Sequence, residues 1–395
     1  MPVNLIDIQT KLKTFCTQAM AHKESIATRR QEASDLVRAF AQRLDEIRLK
    51  VSRAVEVVPK LRCAVPVDEA LDLVVPKPDL PDRFTVLAVD GSQINPSRHA
   101  RVAFCVINIG LVKMVRGSGQ APEVHTQSQL LDYDAVFNPN GGMISEALVA
   151  LQRDLREREA LLEGAEGLVL PAISMTDGPL ELHREPQESA EFSKSLDRYL
   201  SVLGELRNKN VITMGYVDKP GSELISRLLE LVELSEEALN NYNQRQRRFA
   251  GDSDIDLIGH MLQNPGDRSA IFAIHSQTAR RFTGDLALHF FYLNVGLPGR
   301  PQLARVEVPG WVAREKNMVG LIQAVLTEQA SMMGTRPYPY LLHRAHEVAL
   351  VSLAEHQHVE EMLVGALQLR GISVDEGSHK QYLKDLSTQK TRYEG

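Results

Sequence analysis

The sequence predicts an α/β fold, in which a sheet is covered by helices and a long helical segment precedes it. Apolar stretches of strand length alternate with segments of helical periodicity over most of the chain. Two of the strand-like stretches run directly into an aspartate that is followed by glycine. No internal repeat or low-complexity tract points to another architecture.

The composition is that of an ordinary globular protein. Of the 395 residues, 43% are apolar and 24% are charged, and the formal net charge is −6, which does not by itself indicate nucleic-acid binding. We find no apolar run of about 18 residues that would predict a membrane span, and no secretory leader. The three cysteines are scattered and form no CxxC pair, so we expect a reducing, cytoplasmic setting.

Residues 1–62 are predicted to form a helical, coiled-coil-like segment. Apolar residues recur at steps of three, four and seven from Leu5 to Val58, so one stripe persists along the segment. This stripe must bury against another helix, a subunit or the main domain. A proline-rich linker is predicted at residues 63–83, because each proline discourages a helix.

The main domain is predicted to span residues 84–379 and to precede a charged tail at 380–395. Strands are predicted at 84–89, 101–115, 168–176, 211–217, 290–295 and 304–308, with a weaker strand signal at 124–137. Helices are predicted at 145–164, 191–209, 222–234 and, as one long helix, at 341–369. The polar, mixed stretch at 235–270 is predicted to be an insertion.

Two aspartates are the first candidates for chemistry. Asp90 and Asp177 each follow an apolar strand, and the glycine after each predicts a turn at the strand end. The carboxyl ends of strands face the crevice in which α/β proteins bind ligands. The alternative interpretation is two structural turns, since Asp-Gly is a common turn dipeptide.

The predicted helix between these aspartates carries the charge run 153–159. Glu157 or Glu159 could point from the flank of this helix toward the end of the sheet. Taken alone, such a run is typical of a solvated helix face. Three converging carboxylates would need cations to hold them together, and hard oxygen ligands favour Mg²⁺ or Mn²⁺. Such a site could cleave a phosphodiester bond.

A further group of candidates surrounds a predicted helix start. Tyr338 lies in a Tyr-Pro-Tyr sequence, and His346 lies two turns along the helix that follows, where it could ligate a metal or handle a proton. His343, His346 and Glu347 share a helix face, but their order matches neither HExxH nor HxxEH, so a zinc helix is disfavoured.

Basic residues suggest contacts with an anionic ligand. Lys219 follows a strand and could contact phosphate, and Arg280 and Arg281 form a basic cluster. A basic surface can guide such a ligand even on an acidic protein, although solvated surface residues are the alternative. The sequence contains no P-loop, GxGxxG or GxSxG motif, so P-loop ATP hydrolysis is not expected.

Five motifs, taken in order, make this chain resemble the NurA family. They are Leu-Ala-Val-Asp-Gly-Ser at 87–92, the acidic helix at 153–161, Ser-Met-Thr-Asp-Gly-Pro-Leu at 174–180, Gly-Tyr-Val-Asp-Lys-Pro-Gly-Ser at 215–222, and Tyr-Pro-Tyr at 338–340 followed by Ala345-His346. The resemblance implies an RNase H-like mixed sheet flanked by helices. It also implies Mn²⁺-dependent DNA hydrolysis, with Mg²⁺ as a possible substitute, by a single-strand endonuclease and 5′→3′ exonuclease.

The resemblance further implies a homodimer that docks on a HerA-type hexameric translocase during DNA end resection and double-strand break repair. It matches Asp90 and Asp177 to the family's metal-binding aspartates and Glu157 to its glutamate, with Glu159 as a rival. His346 would be a further metal ligand or a proton handler.

Tyr338 matches the family's tyrosine and would position the attacked phosphate. Lys219, Arg280 and Arg281 are the predicted DNA contacts. Two other functions stay open from the sequence: a non-catalytic adaptor that clamps DNA or regulates a translocase, and another RNase H-like nuclease such as a resolvase. The N-terminal helix and the insertion at 235–270 depart from a minimal family pattern, which leaves the dimer and partner surfaces open.

Overall fold

The computed structural model describes residues 4–137, 142–182, 190–242 and 247–374. Within these ranges the strands are β1 (Cys63–Pro66), β2 (Val74–Val75), β3 (Phe84–Ile94), β4 (Val106–Arg116), β5 (Glu123–Leu130), β6 (Ala172–Asp177), β7 (Val211–Asp218), β8 (Arg268–Ser269), β9 (Phe272–His275), β10 (Leu288–Asn294) and β11 (Leu303–Pro309). The helices are α1 (Leu5–Phe40), α2 (Leu44–Val57), α3 (Tyr133–Val136), α4 (Glu146–Gly164), α5 (Ala190–Asn208), α6 (Leu224–Val232), α7 (Glu236–Asn240), α8 (Asp254–Ile258), α9 (Gly310–Ala313), α10 (Lys316–Ser331), α11 (Tyr340–Ala349) and α12 (Leu353–Gln368). The predicted tail at 380–395 lies outside the described residues.

The chain divides into two compact units, each built from several segments. Unit 1 contains Met1–Leu80, Gly178–Glu181 and Gly215–Pro339. Unit 2 contains Pro81–Asp177, Leu182–Met214 and Tyr340–Gly395. The predicted domain boundaries after residues 62, 83 and 379 stay predictions.

The sheet of unit 2 has the strand order β7-β6-β3-β4-β5, with β7 represented by its first residues. β3, β4 and β5 form an antiparallel meander, and β6 returns parallel to β3. α4 lies between β5 and β6 in the chain, and α5 lies between β6 and β7. A three-stranded meander followed by two helix–strand units is the topology of the RNase H-like fold, so the predicted fold class is confirmed.

Alternation along β3 explains how this sheet buries one of its faces. Leu87 and Val89 enter a buried apolar cluster that also contains Val149 and Leu161 of α4. α4 begins where the sequence predicts it, because the side chain of Ser145 accepts a hydrogen bond from a backbone N–H of the first turn. The odd-numbered residues of β3 therefore face α4.

The predicted end of the first strand is wrong. β3 does not turn at Asp90 but continues to Ile94, with Asp90 opposite Gly110 of β4. Continuous antiparallel pairing with β4 keeps the backbone extended after the apolar run has ended. In contrast, β6 ends at Asp177 as predicted, and Gly178 adopts a φ of +95°.

The predicted helix at 341–369 is interrupted, because α11 ends at Ala349 and α12 begins at Leu353. Ser352 and Glu355 form a capping box at the start of α12. The apolar spacing continues across this break, so periodicity alone did not reveal it.

Unit 1 contains the predicted N-terminal helical segment as α1 and α2. Residues 5–25 of α1 are exposed, whereas Ala33 and Val37 are buried. Its strands follow the order β1-β9-β10-β11-β7, with β7 represented by its last residues. β1 and β2, in the predicted linker, and α10 were not predicted. None of the helices within the described ranges combines the length and apolarity needed to cross a bilayer.

The predicted insertion at 235–270 contributes a buried carboxylate to unit 1. Asp254 accepts hydrogen bonds from the backbone N–H groups of Leu224 and Ser226, at 2.9 and 2.8 Å. A negative charge is favourable at a helix N-terminus, so Asp254 caps α6. Residues 243–246 of this stretch lie outside the described ranges.

Candidate metal-binding site

The two predicted aspartates occupy neighbouring strands of unit 2. In the parallel pair of β3 and β6, Val89 lies opposite Thr176. The next residues, Asp90 and Asp177, therefore come side by side, on strands about 5 Å apart. The Asp90 side chain is 16% exposed, and Asp177 is exposed at the end of its strand. The parallel register thus brings together two carboxylates that are far apart in the sequence.

His346 approaches Asp90 from α11. Its Nδ1 atom lies 2.7 Å from Oδ2 of Asp90, within hydrogen-bonding distance. α11 can pack this closely because β4 carries Gly110, where a Cβ would lie 2.6 Å from a carbonyl oxygen of α11. Asn108 of β4 donates its side-chain N–H to the carbonyl of Ala349, at 2.7 Å, and so anchors the end of the helix.

Glu157 approaches β3 from the opposite side, on α4. Gly91 continues the face of β3 that packs against α4, and a Cβ on Gly91 would lie 2.8 Å from Oε1 of Glu157. The Glu157 side chain is only 6% exposed. The interpretation of this charge run as a solvated helix face is therefore wrong for Glu157.

Two arginines of α4 flank the Glu157 carboxylate. Nε of Arg153 lies 3.4 Å from Oε1, and Nη1 of Arg158 lies 3.4 Å from Oε2. Arg158 is itself buried and donates to the hydroxyl of Tyr199 at 3.1 Å. Each oxygen of Glu157 therefore faces one guanidinium group.

Burial is the largest cause that raises the pKa of Glu157 to about 8. The positive charges of Arg158 and Arg153 oppose this shift, whereas the nearby carboxylates of Asp154 and Asp90 add to it. A cation bound at this position would favour the charged form of Glu157.

Glu159, the alternative third carboxylate, makes different contacts. It accepts from Arg156 at 2.7 Å and from Arg198 at 3.1 Å. Glu157 shares neither of these partners, as expected for two residues that are two positions apart on a helix. Of the two glutamates, Glu157 is the one placed beside Asp90.

The residue types suit a hard divalent cation. Carboxylate oxygens with one imidazole are common ligands of Mn²⁺, and oxygen ligands also suit Mg²⁺. Among the described residues, however, no three acidic, histidine or cysteine side chains already stand in metal-binding geometry. His346 lies within hydrogen-bonding distance of Asp90, and Arg153 and Arg158 form ion pairs with Glu157. Binding of a metal ion would require these side chains to reorient.

The remaining predicted residues belong to unit 1. The half-buried Tyr338 packs edge-on against the ring of Tyr216, with centroids 5.5 Å apart. Lys219 is exposed and adopts a φ of +43° in the turn after β7. Arg280 and Arg281 are exposed on a short 3₁₀ turn, and Arg280 also donates to a side-chain nitrogen of His275 at 3.3 Å.

The disfavoured zinc helix has no support in the contacts of α11. His343 pairs with Glu347, at 3.4 Å between Nε2 and Oε1, whereas His346 turns to Asp90. The three side chains therefore do not converge on one point.

Arg153, Asp154 and Arg158 are parts of the site that the sequence did not assign. Arg153 and Asp154 lie four and three residues before Glu157, so helical spacing places them on its face and could have revealed them. No feature of the sequence predicts the burial of Arg158, because this burial depends on Tyr199, which lies 41 residues further along the chain.

Comparison with known proteins gives one family match. The model of the NurA domain family matches residues 84–351, which is more than half of the chain. No curated protein matches the sequence.

Several solved structures are similar to this one at low sequence identity. The NurA nuclease from Sulfolobus solfataricus is 13% identical, with a TM-score of 0.47, over 75% of this chain and 87% of its own. Human ENDOV is 15% identical, with a TM-score of 0.29, over 71% of this chain and 85% of its own. LC9-RNase H1 is 10% identical, with a TM-score of 0.22, over 44% of this chain and 78% of its own.

Proposed function

The chain belongs to the NurA domain family, a family of metal-dependent DNA nucleases, and we propose that it cleaves DNA at the carboxylate cluster of unit 2. One observation carries this proposal. Asp90 lies beside Asp177 through the strand register, and its carboxylate also meets His346. Glu157 faces the adjacent Gly91, which completes the set of donors.

In the proposed site, Asp90, Glu157 and Asp177 hold Mn²⁺, with Mg²⁺ as a possible substitute. The bound ion would supply an activated water and stabilise the leaving oxygen. His346 serves as a further ligand or holds a proton at Nδ1, where Asp90 orients its ring. For Tyr338, which belongs to unit 1, we propose a contact with a DNA phosphate.

We assign DNA binding to exposed basic residues of unit 1. Lys219, Arg280 and Arg281 carry positive charge at exposed turns, and such groups contact phosphates without reading sequence. The proposal extends to single-strand endonuclease and 5′→3′ exonuclease activities and to action in DNA end resection and double-strand break repair, and the family match supports it.

We also infer a homodimer that works with a HerA-type hexameric translocase. α1 supports the homodimer, because Leu5, Leu12 and Phe15 are 73%, 48% and 66% exposed and follow coiled-coil spacing. A second copy of α1 would bury these side chains.

The test compares wild-type protein with Asp90→Asn on labelled single-stranded, duplex, branched and hybrid substrates. We expect Mn²⁺-dependent cleavage by the wild type, none in chelator, and a loss of about 100-fold or more in the variant, which removes one charged ligand. Asp45→Asn is the matched control, since Asp45 is 96% exposed on α2 and should leave cleavage unchanged.

Persistent cleavage by Asp90→Asn, in samples free of contaminating nuclease, would contradict the proposal. DNA binding without any cleavage by the wild type would instead favour the non-catalytic adaptor. A preference for branched or hybrid substrates would favour another RNase H-like nuclease. Repeating the assay with a HerA-type translocase, and measuring the mass by light scattering, tests the two partners.

A further inference from the structure

Arg153 stands inside the carboxylate cluster, and the proposed function gives it no role. Its Nη2 donates to Oδ1 of Asp154 at 3.0 Å, and its Nε lies 3.4 Å from Oε1 of Glu157. The stem of the side chain crosses Gly91, where a Cβ would lie 2.7 Å from Cγ of Arg153. Any larger residue at position 91 would displace this side chain, so Gly91 makes room for the guanidinium beside Asp90.

The charges around Arg153 explain why a cation is needed there. Asp90, Asp154 and Glu157 bring three carboxylates to one end of the sheet, and such a group repels itself at low dielectric. An arginine is always charged in proteins, and the Arg153 guanidinium contacts two of these carboxylates, Asp154 and Glu157. Its positive charge therefore offsets part of their mutual repulsion.

The two arginines beside Glu157 differ in their freedom to move. Arg158 is 3% exposed and is bonded to Tyr199, so it stays in place. The Arg153 side chain is 25% exposed, and its buried Nε atom has the ion pair with Glu157 but no hydrogen bond within the described residues. The more exposed Arg153 side chain thus has a route to solvent that the buried Arg158 lacks.

We propose that Arg153 is a positioning residue that stabilises the carboxylate cluster while no metal is bound, and that a divalent metal ion must displace it. The guanidinium and the metal ion would compete for the carboxylates of Glu157 and Asp90. Arg153 therefore lowers the affinity of the site for metal and keeps the metal-free cluster assembled. This inference rests on the proposed function, because it requires a metal site at these carboxylates.

The experiment measures Mn²⁺ binding directly, by the electron paramagnetic resonance signal of free Mn²⁺. We expect Arg153→Gln to lower the Kd for Mn²⁺ by about tenfold, because a competing charge has been removed. Arg153→Lys keeps the charge and should stay near the wild-type Kd. Arg156→Gln is the matched control on the same helix, since Arg156 pairs with Glu159 and is similarly exposed, at 29%.

Thermal unfolding provides a second measurement. Without metal, Arg153→Gln should unfold at a lower temperature than the wild type, and Mn²⁺ should raise its unfolding temperature by more than it raises that of the wild type. If Arg153→Gln is too unstable to assay, a tighter Kd in Arg153→Ala supports the same conclusion. Circular dichroism shows that each variant is folded.

Two results would overturn the proposal, and they are distinguishable. If the wild type binds Mn²⁺ and Asp90→Asn does not, but Arg153→Gln binds no more tightly than the wild type, only the role of Arg153 fails. If wild type and Asp90→Asn bind Mn²⁺ equally, the metal site itself fails, and the role of Arg153 fails with it.

Discussion

At the scale of single residues, the carboxylate of Glu157 is buried between two arginines. A buried carboxylate is costly unless it is paired, and Glu157 has an arginine at each oxygen. Burial nevertheless raises its pKa to about 8. The side chain is therefore fixed in position, but its charged form is still disfavoured by burial. Additional positive charge, such as that of a bound cation, would stabilise the charged form.

The raised pKa of Glu157 predicts how the stability of the metal-free protein depends on pH. The folded-state pKa of Glu157 lies above its ordinary value of 4.5. The folded state then binds more protons than the unfolded state, so the free energy of unfolding falls as the pH rises from about 5 to about 8. At about 1.4 kcal/mol per pKa unit, the upper limit of this loss is about 5 kcal/mol.

Urea unfolding in chelator, from pH 5 to pH 8.5, measures this dependence. Glu157→Gln removes the titrating carboxyl group, so its free energy of unfolding should change less with pH over this interval. Glu163→Gln is the control, because Glu163 lies on the same helix and its side chain is 51% exposed. Parallel curves for wild type and Glu157→Gln would contradict the prediction.

The sequence predicted some of these residues and not others. Asp90 and Asp177 could be predicted because apolar strands precede both of them. Glu157 could only be narrowed to one of two glutamates, since the choice depends on which face of α4 meets Gly91. That face is set by packing between distant segments, as is the burial of Arg158 against Tyr199.

At the scale of secondary-structure elements, the site depends on how closely α11 packs on the meander. Gly110 of β4 lies where a side chain would collide with the α11 backbone, at 2.6 Å from a carbonyl oxygen and 2.7 Å from the N of Ala349. The clash would be with backbone, which cannot move aside as a flexible side chain can. The position of His346 therefore depends on a glycine in another element.

Gly110→Ala should disturb α11 and separate His346 from Asp90. We expect a loss of about 1–3 kcal/mol in the free energy of unfolding, as is usual for overpacking, and weaker Mn²⁺ binding. Gly204→Ala is the matched control, because Gly204 lies within α5 and a Cβ there meets nothing within 4 Å. That variant should gain about 0.5–1 kcal/mol from helix propensity.

Denaturant unfolding and Mn²⁺ titration of both variants decide the matter. Unchanged stability and Mn²⁺ affinity in Gly110→Ala would show that α11 does not depend on this contact.

Element boundaries were predicted less well than the elements themselves. The apolar run of β3 ends at Val89, but pairing with β4 carries the strand on to Ile94. Similarly, the helical spacing of residues 341–369 hides the break between α11 and α12. Both errors arise because hydrogen bonds to a neighbouring strand, or a local capping box, set the boundary independently of the apolar pattern.

At the scale of the whole molecule, the candidate residues divide between the two units. The four proposed metal ligands belong to unit 2, and Tyr338, Lys219, Arg280 and Arg281 belong to unit 1. The sequence predicted one domain over residues 84–379 because alternating strands and helices run through it without interruption. The sequence pattern does not reveal a compact unit that is built from separate segments of the chain, since such a unit is defined only by long-range contacts.

This division predicts which elements should exchange their amide hydrogens more slowly when the metal binds. A ligand that binds only the folded protein stabilises it by about 2.7 kcal/mol at 100 times its Kd, and the opening of the elements that hold the ligand becomes correspondingly rarer. Mn²⁺ should therefore slow amide hydrogen exchange in β3, β6, α4 and α11. Exchange in β9 and β10 of unit 1 should stay unchanged, since none of the proposed ligands lies there.

Exchange followed by mass spectrometry, with and without Mn²⁺, measures this pattern peptide by peptide. Asp90→Asn is the control, because loss of one ligand should abolish the protection in all four elements together. Protection that is confined to unit 1, or that persists in Asp90→Asn, would place the metal elsewhere in the molecule. If Asp90→Asn loses the protection in β3, β6, α4 and α11 together, side chains from four separate elements act as one binding site. This outcome is expected from the register of β3 and β6 and from the close packing at Gly91 and Gly110.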